Sequence, residues 1–349
     1  MESRKVQKVG ASTLSVSLPK AWASRHELER GDIILFETLT DGSLRLSPSR
    51  GEPRTPPGEE EYVVNADLCT EPGLLGRVVV GNYVIGRNSI RIRSKGRIKS
   101  EHLQEVRTAV SKLMGIGIMM ESSDEIELQA SIDPARFPME TVIKRLYTIA
   151  ATMQKEAVEA LEKGDARLAA DAMGREDEAD RMYWLALRLL LSAQANPSIA
   201  GKIGMNESLP IVGNRLIAKN LETIADYAEN AARNAHALLT EGHKVSPTAI
   251  KRLRKLSDMS AGIVGDALAC IFSRDIQLAN RAIEAKEKVE EAENDLQSEI
   301  MAHTNGQCVA NLRAIAWSLR RIAEYGSEIA VIGINRYLER DSQLCHVKR

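Results

Sequence analysis

The stretch TIADYAEN at residues 223–230 recurs as RIAEYGSE at residues 321–328. Each copy has two acidic or carboxamide side chains four residues apart, and another acidic pair precedes each copy along the chain. In chain order the pairs are Glu176/Asp180, Asp226/Asn230, Glu287/Glu291 and Glu324/Glu328. Side chains at this spacing lie on one face of an α-helix. The sequence therefore predicts a duplicated helical unit with two acidic pairs in each copy.

Long segments with apolar residues at helical spacing surround these pairs and fill the chain beyond Pro134. The pattern, with Asn, Gly and Pro at the junctions, predicts six helices. They lie near residues 139–162, 165–194, 210–240, 247–272, 276–304 and 308–338. Three helices on either side of Gly242 predict two antiparallel three-helix bundles, over residues 139–242 and 246–340.

The first 134 residues have a different pattern. Residues 1–50 alternate short strands and turns, including an Asp41–Gly42 hairpin turn, and so small a unit is expected to dimerise because it buries little surface. Residues 51–61 are rich in Pro and Glu and predict a linker. Residues 62–134 alternate strands with helices. The predicted fold is thus multidomain, with a small β domain, a small α/β domain and then the all-α duplicated bundles.

Composition limits the classes of function. Lys and Arg total 47 against 48 for Asp and Glu, so any contact with DNA must come from a local basic patch. Four scattered cysteines without a CxxC argue against a disulfide framework or a thiolate zinc site and favour the cytoplasm. We expect neither a signal peptide nor a membrane span. The sequence lacks a Walker loop, a nucleophile elbow and other familiar catalytic motifs, so we expect no enzyme.

The acidic pairs predict metal binding, because neighbouring antiparallel helices would bring two pairs within reach of one ion. Such an oxygen-rich set suits divalent or trivalent metal ions, iron among them. Zinc is less favoured, since the histidines do not share these faces. The alternative is that the pairs are ordinary solvated helix faces with ion-pair partners. The candidate partners are Arg175, Arg181, Arg233, Lys286, Lys288 and Arg320.

Over residues 139–338 the chain resembles the PhoU family of phosphate-uptake regulators, whose E/D-x-x-x-D motifs match Glu176 to Asp180 and residues 223–230. In the second half Glu291 stands where the family usually has Asp, and Glu324 and Glu328 replace Asp and Asn. The resemblance implies metal clusters on the bundle surface. It also implies a regulatory, non-catalytic role with a phosphate transporter or signalling component as partner.

Residues 1–50 resemble a SpoVT/AbrB-type domain, through Lys8-Val9-Gly10, residues 18–22, Gly31-Asp32 and residues 41–44. The resemblance implies a homodimer of swapped β-hairpins that binds DNA. The matching basic residues, expected to contact phosphates, are Arg4, Lys5, Lys8, Lys20 and Arg25, and the matching hydrogen-bond donors are Ser12, Thr13 and Ser15. The alternative is that these residues only keep the strand edges soluble.

Taken together, the patterns predict a cytoplasmic regulator of phosphate uptake, with metal-binding bundles coupled to a DNA-binding dimerisation domain. Two hypotheses of other classes stay open at the level of sequence. One is a metal-dependent phosphate-ester hydrolase that uses paired metals to activate water. The other is an interaction module that does not bind DNA and whose acidic faces bind nothing.

Overall fold

The computed structural model describes residues 3–10, 12–38, 42–49, 61–205, 209–303 and 305–346. The chain divides into two compact units, Met1–Pro57 and Gly58–Arg349. Residues 51–60 of the expected linker and Asp41 of the expected hairpin turn lie outside the described residues. The domain boundaries drawn from the sequence therefore stay predictions.

The first unit contains two separate antiparallel hairpins. Strand β1 (Gln7–Val9) pairs with β2 (Thr13–Ser15), helix α1 (Lys20–Arg25) follows, and β3 (Ile33–Thr38) pairs with β4 (Leu44–Ser49). The last strand continues past Pro48 to Ser49, although a proline often ends a strand. Pro48 lies opposite Ile34, and each strand of a two-stranded sheet is an edge, so the missing N–H of the proline is tolerated.

The described residues of this unit form no buried core. None of their side chains is buried, and eight large apolar side chains face solvent with exposed fractions between 52% and 70%. They are Val6, Val9, Leu14, Val16, Ile33, Leu35, Phe36 and Leu44. An isolated two-stranded hairpin is marginally stable in water. The described part of this unit thus leaves much of its apolar surface exposed in a single copy.

The α/β domain opens the second unit. Its elements are β5 (Glu61–Asn65), α2 (Leu74–Val84), β6 (Ser89–Arg93), α3 (Ser100–Ser111), β7 (Ile116–Glu121) and β8 (Glu125–Ala130). The sheet order is β5-β6-β8-β7, with β5 and β6 parallel and the other pairs antiparallel. Inward-facing residues of the sheet, such as Ile90 and Leu128, bury against α2 and α3 in a separate core.

The remaining chain is helical. The helices are α4 (Met139–Lys163), α5 (Ala166–Gly174), α6 (Glu176–Ala195), α7 (Pro197–Lys202), α8 (Leu209–Thr240), α9 (Pro247–Ser273), α10 (Ile276–Met301) and α11 (Gly306–Leu338). The prediction of one helix over 165–194 is wrong, because α5 ends at Gly174 and α6 begins at Glu176. Three acidic residues, 176–178, then occupy the first turn of α6, where the helix dipole stabilises negative charge.

The two predicted bundles are present and share one core. Helices α4, α5, α6 and α8 form the first bundle, and α9, α10 and α11 form the second. Helix α8 packs along α11, and α4 packs on α9, so the buried residues of both halves form one continuous cluster. At the α4–α9 contact the buried amide of Gln154 donates to the Ser257 carbonyl at 2.9 Å, which pairs the two helices specifically.

A buried arginine joins the α/β domain to the first bundle. The Arg188 side chain of α6 donates to the carbonyl oxygens of Tyr83 at 2.6 Å, Arg87 at 2.9 Å and Gly86 at 3.3 Å, and to the amide oxygen of Asn88. These carbonyls end helix α2, where the helix dipole favours a cation. The positive charge of Arg188 is therefore stabilised by carbonyl oxygens without a carboxylate partner. Because these oxygens belong to the α/β domain, the hydrogen bonds also hold that domain to α6.

Helix α9 is the one described helix that is long and apolar enough to cross a membrane by length and composition. Half of its most apolar 18-residue window is buried inside the protein. Its buried side chains, such as Leu253 and Ile263, belong to the shared core of the two bundles.

Small residues allow the helices to approach closely. A Cβ atom added to Gly326 of α11 would lie 2.9 Å from Val264 Cγ2 and 3.2 Å from the Val264 backbone nitrogen on α9. A Cβ atom added to Gly262, also on α9, would meet nothing within 4 Å. The α9–α11 contact thus depends on glycine at one position and not at the other.

We expect Gly326→Ala and Gly262→Ala to change stability in opposite directions. Overpacking costs about 1–3 kcal/mol, which outweighs the gain in helix propensity of about 1 kcal/mol, so Gly326→Ala lowers the Tm. Gly262→Ala keeps only the propensity gain and raises it. Thermal melts followed by circular dichroism measure both, and a Gly326→Ala protein with a raised Tm would contradict the packing.

Candidate functional site

Five carboxylates lie together where α6 begins and α8 passes beside it, and we call them the α6/α8 acidic face. They are Glu176, Asp180, Glu222, Asp226 and Glu229, linked by mutual electrostatic repulsion. The structure thus brings together Glu176, Asp180 and Asp226 as the sequence predicted. Glu222 and Glu229 were missed, although each lies within one helical turn of Asp226 and so shares its face.

Desolvation by the surrounding protein, followed by repulsion from Glu222, raises the pKa of Asp226 to about 7; Asp180 and Glu176 add to it. Desolvation, followed by repulsion from Asp180, also raises the pKa of Glu176. The Asp226 side chain nevertheless stays open to solvent. A proton or a cation can therefore reach the face and relieve the repulsion.

Basic side chains compensate part of this charge. Lys112, from the end of α3 in the α/β domain, has its Nζ 3.5 Å from Asp180 Oδ2. Lys219 pairs with Glu222 at 2.5 Å, and Arg233 pairs with Glu229 at 2.5 Å. In the described part of the chain, Glu176 and Asp226 have no ion-pair partner. Lys112 and Lys219 attract these two carboxylates only from beyond ion-pair distance.

Asn230, the fourth residue predicted in the first half, does not join this face. Its amide oxygen accepts a hydrogen bond from Ser318 of α11 at 3.0 Å and another from Asn234 at 3.2 Å. Asn230 is therefore engaged in the packing of α8 on α11. Its place one turn beyond Asp226 suits that role, since the helix turns it toward the neighbouring bundle.

The second half has a different arrangement, which we call the α10/α11 charged face. Arg320 Nε lies 2.8 Å from Glu293 Oε2, and Arg320 Nη1 lies 2.6 Å from Glu324 Oε1. Arg321 also pairs with Glu324. Desolvation raises the pKa of Glu293, Arg320 lowers it, and Glu324 and Glu290 raise it further. Of the predicted residues, Glu324 alone lies on this face.

The other predicted residues of the second half, Glu287, Glu291 and Glu328, are exposed. No hydrogen bond or ion pair among the described residues joins any of them to a facing helix. Val289 and Leu296 are the buried residues of α10 nearest to Glu287 and Glu291 along the chain. At about 100° per residue they place Glu287 and Glu291 on the opposite side of the helix, whereas Glu290 and Glu293 lie beside the core.

The two copies of the repeated octapeptide, residues 223–230 and 321–328, contact each other across the α8–α11 interface. The Tyr227 and Tyr325 rings stack with centroids 5.8 Å apart, and Trp317 meets Tyr227 edge-on at 5.3 Å. The Arg321 guanidinium lies over both tyrosine rings, at 5.0 Å from Tyr325 and 5.7 Å from Tyr227. The recurring tyrosine of the octapeptide therefore packs at the centre of the interface between the two bundles.

The two halves differ in whether their carboxylate oxygens are available to bind a metal ion. The α6/α8 acidic face offers carboxylate oxygens of the kind that hard cations prefer, with uncompensated negative charge. Across the described residues, no three His, Cys, Asp or Glu side chains yet converge closely enough to hold an ion. Ion binding thus requires these side chains to turn toward one another. On the α10/α11 charged face two guanidinium groups already occupy the carboxylates, which does not fit a metal ion.

The predicted DNA-contacting residues lie on the first unit, and all of them are exposed except the half-buried Ser15. Arg4 donates to the Ser17 hydroxyl at 3.2 Å. Lys8 lies opposite Leu14, whereas Thr13 lies opposite Val9. Because paired residues share a face and neighbours alternate, Lys8 and Thr13 lie on opposite faces of the hairpin. Lys20 and Arg25 stand at the two ends of α1, and Lys5 and Ser12 lie outside the strands.

Comparison with protein families gives two matches. The PhoU domain matches residues 143–235 and 253–340, one match for each bundle. The antidote-toxin recognition domain MazE, a bacterial antitoxin, matches residues 7–54. Both matches coincide with the parts of the chain where the sequence resemblances were seen.

Individual proteins similar to this chain are also PhoU proteins. The phosphate-specific transport system accessory protein PhoU homolog of Aquifex aeolicus is 28% identical over 165 residues, which cover 47% of this chain and 71% of that protein. The crystal structure of PhoU from Pseudomonas aeruginosa is similar with a TM-score of 0.51 at 20% identity, over 58% of this chain and 96% of that one. At this identity the similarity shows the fold.

The raised pKa of Asp226 predicts a pH-dependent effect of Asp226→Asn. A carboxyl whose folded pKa lies above its unfolded value of 3.8 destabilises the protein progressively as pH rises from about 4 to about 7. Removing it should therefore raise the Tm at pH 8 in the presence of a chelator and leave it unchanged near pH 4. Asp171→Asn, an exposed carboxyl on α5, is the matched control, and equal shifts in both variants would contradict the electrostatic account.

Proposed function

The chain belongs to the PhoU family, and from that premise we propose that it regulates phosphate uptake by coupling cation binding on its helical bundles to a DNA-binding amino-terminal homodimer. Family membership favours regulation of phosphate transport over catalysis. The amino-terminal domain is of the MazE/AbrB-like type, which is consistent with DNA binding. The cation, the DNA contact and their coupling are the proposed parts.

One observation supports cation binding most directly: Glu176 adds to the repulsion that raises the pKa of Asp226 on the α6/α8 acidic face, and neither carboxylate has an ion-pair partner among the described residues. We propose that Glu176, Asp180, Glu222 and Asp226 hold a divalent or trivalent metal ion there. When bound, the ion supplies positive charge and open coordination positions suited to phosphate or to a carboxylate of a partner protein. The acidic side chains bind and orient it, and Asp226 exchanges its proton for it.

Lys112 connects this face to the α/β domain. Its ammonium group pairs with Asp180 across the domain boundary, and Asp177 Oδ1 lies 4.0 Å away. An ion that neutralises Asp180 weakens that pairing, because the lysine and the ion compete for the same carboxylate. We propose that ion binding is communicated to the α/β domain by this exchange.

The amino-terminal domain is proposed to act as a homodimer that binds DNA. The exposed apolar side chains of both hairpins, among them Leu14, Leu35 and Phe36, support the dimer, because a second copy would cover them. Arg4, Lys5, Lys8, Lys20 and Arg25 are proposed to contact phosphates, and dimerisation would double this basic set. We place the protein in the cytoplasm beside a phosphate transporter or signalling partner.

We expect Glu176→Gln and Asp226→Asn to reduce metal binding strongly. The full chain is stripped with a chelator, dialysed against Mn²⁺ or Fe³⁺, and its metal content is measured by elemental analysis. Each substitution removes one anionic ligand and part of the repulsion that ion binding relieves, so bound metal should fall at least about tenfold. Asp171→Asn controls for loss of surface charge. Equal metal content in all three variants and the wild type would refute the site.

We expect Leu35→Asp to produce monomers, because it places a charge on the apolar surface that a second copy would cover. Light scattering with size-exclusion chromatography measures the mass. The control is Leu68→Asp, a more exposed leucine of the α/β domain, with 74% exposure against 55% for Leu35. A dimeric Leu35→Asp protein would show that the hairpins are not the dimer interface.

We expect Lys8→Ala to weaken DNA binding at all sequences and to flatten its salt dependence. Each lost phosphate contact reduces the slope of log K against log salt by about 1. Fluorescence anisotropy with a duplex from the promoter of its own gene, at stepped salt concentrations, measures both quantities. Lys95→Ala, an exposed lysine of the α/β domain, should change neither. An unchanged slope for Lys8→Ala would argue for the interaction module that binds no DNA.

A further inference from the structure

We propose that the second half of the chain carries its own cation in place of a metal ion: Arg320 closes the α10/α11 charged face, so metal binding is confined to the α6/α8 acidic face. The proposal rests on the proposed metal binding of the first half and departs from the symmetric arrangement that the duplicated sequence suggests. Three independent observations support it.

The first is the internal repeat. When residues 223–230 are aligned with residues 321–328, the preceding residue of the first copy is Glu222 and that of the second is Arg320. Both positions lie four residues before the central acidic residue of their octapeptide, Asp226 or Glu324, and thus on the same helix face. A carboxylate in one half is replaced by a guanidinium group in the other. The repeat has reversed the charge at this position.

The second is the geometry of Arg320. Its guanidinium group spans two helices, pairing with Glu293 of α10 at 2.8 Å and with Glu324 of α11 at 2.6 Å. The Arg320 side chain is 28% exposed, and Glu293 and Glu324 are 13% and 14% exposed. A positive charge between the carboxylates of two neighbouring helices is what a metal ion would provide there. The arginine supplies that charge covalently.

The third is the anchoring of Arg321, which leaves Glu324 without a free oxygen. Arg321 pairs with the second oxygen of Glu324, and its Nη2 donates to the Tyr325 hydroxyl at 3.0 Å. Its guanidinium group lies over the Tyr325 and Tyr227 rings. Both carboxylate oxygens of Glu324 are thus occupied by guanidinium groups, and a metal ion would have to displace a partly buried, paired arginine.

The first half differs in each respect. Its cross-domain cation is Lys112, whose ammonium lies 3.5 Å from Asp180 and whose side chain is 44% exposed. A lysine is a flexible point charge, whereas a paired arginine holds a carboxylate through a rigid fork. Glu176 and Asp226 have no ion-pair partner among the described residues, whereas Glu293 and Glu324 are both paired with arginine. The first face can therefore exchange its lysine for an ion, and the second face cannot exchange its arginines as readily.

The test counts Mn²⁺ bound to the full chain by equilibrium dialysis and elemental analysis. As single substitutions in the wild-type chain, Asp226→Asn should abolish Mn²⁺ binding and Glu324→Gln should leave the amount of bound Mn²⁺ unchanged. Arg320→Glu places in the second half the carboxylate that Glu222 provides in the first, and should raise bound Mn²⁺ about twofold, since it frees Glu293 and one oxygen of Glu324 and adds a ligand. In the Asp226→Asn background, Arg320→Glu should restore binding from near zero. Arg281→Glu, on the exposed surface of α10, controls for the added negative charge.

The outcomes separate this inference from the proposed function. A loss of Mn²⁺ with Glu324→Gln shows that the second half binds metal and overturns the inference while sparing the first site. If the wild type binds no Mn²⁺, the proposed metal site is refuted, and the inference is tested by Arg320→Glu alone. Mn²⁺ binding by the Arg320→Glu protein would then support the inference, and no Mn²⁺ binding would overturn it. If Arg320→Glu fails to fold by circular dichroism, Arg320→Gln and the Glu324→Gln comparison decide it.

Discussion

Close packing of long helices through alanine and glycine is the constraint on which the rest of the structure depends. The buried face of α8 is largely alanine, including Ala225, Ala228 and Ala232, and α11 presents Gly326 where it meets α9. Small side chains bring helix axes close and leave little room between them for charged groups. The acidic residues of both octapeptides are therefore confined to the rims of the helix contacts, where solvent and ions can reach them.

That confinement explains why the same pattern produces two different faces. At a helix rim a carboxylate is only partly solvated, so it needs a counter-charge from a neighbouring helix, from another domain or from solution. On the second rim Arg320 of α11 itself provides the counter-charge for Glu293 and Glu324. On the first rim it comes in part from Lys112 of another domain, and part of the negative charge is left over. The two copies of the helix pair thus neutralise their carboxylates differently, one partly through a lysine of another domain and the other through an arginine of its own helix.

The sequence predicted most of the fold and three of the five carboxylates that lie together on the α6/α8 acidic face, for reasons that particular residues make clear. Helix and strand positions followed from periodicity, and Glu176, Asp180 and Asp226 came together because four-residue spacing on facing helices leaves them few alternatives. The break at Gly174 was missed because a glycine inside an apolar periodic run is ambiguous. Acidic residues occur on several faces of α10, so the four-residue spacing by itself favoured the exposed pair Glu287 and Glu291. The buried Val289 and Leu296 mark the face of α10 that packs on the neighbouring helices, and Glu293 lies beside that face.

The contacts that spacing could not predict are those made by distant parts of the chain. Lys112 and Arg188 illustrate this, since each joins the α/β domain to α6 across a long sequence separation. Arg188 is buried and satisfied by the carbonyls that end α2, so its contact is permanent; Lys112 is half-exposed and pairs with a carboxylate that an ion can neutralise. The two contacts lie on the same helix, one near its first turn and one farther along. If the acidic face binds an ion as proposed, a fixed attachment beside an exchangeable one would let charge at that face alter the Lys112–Asp180 contact without separating the domains.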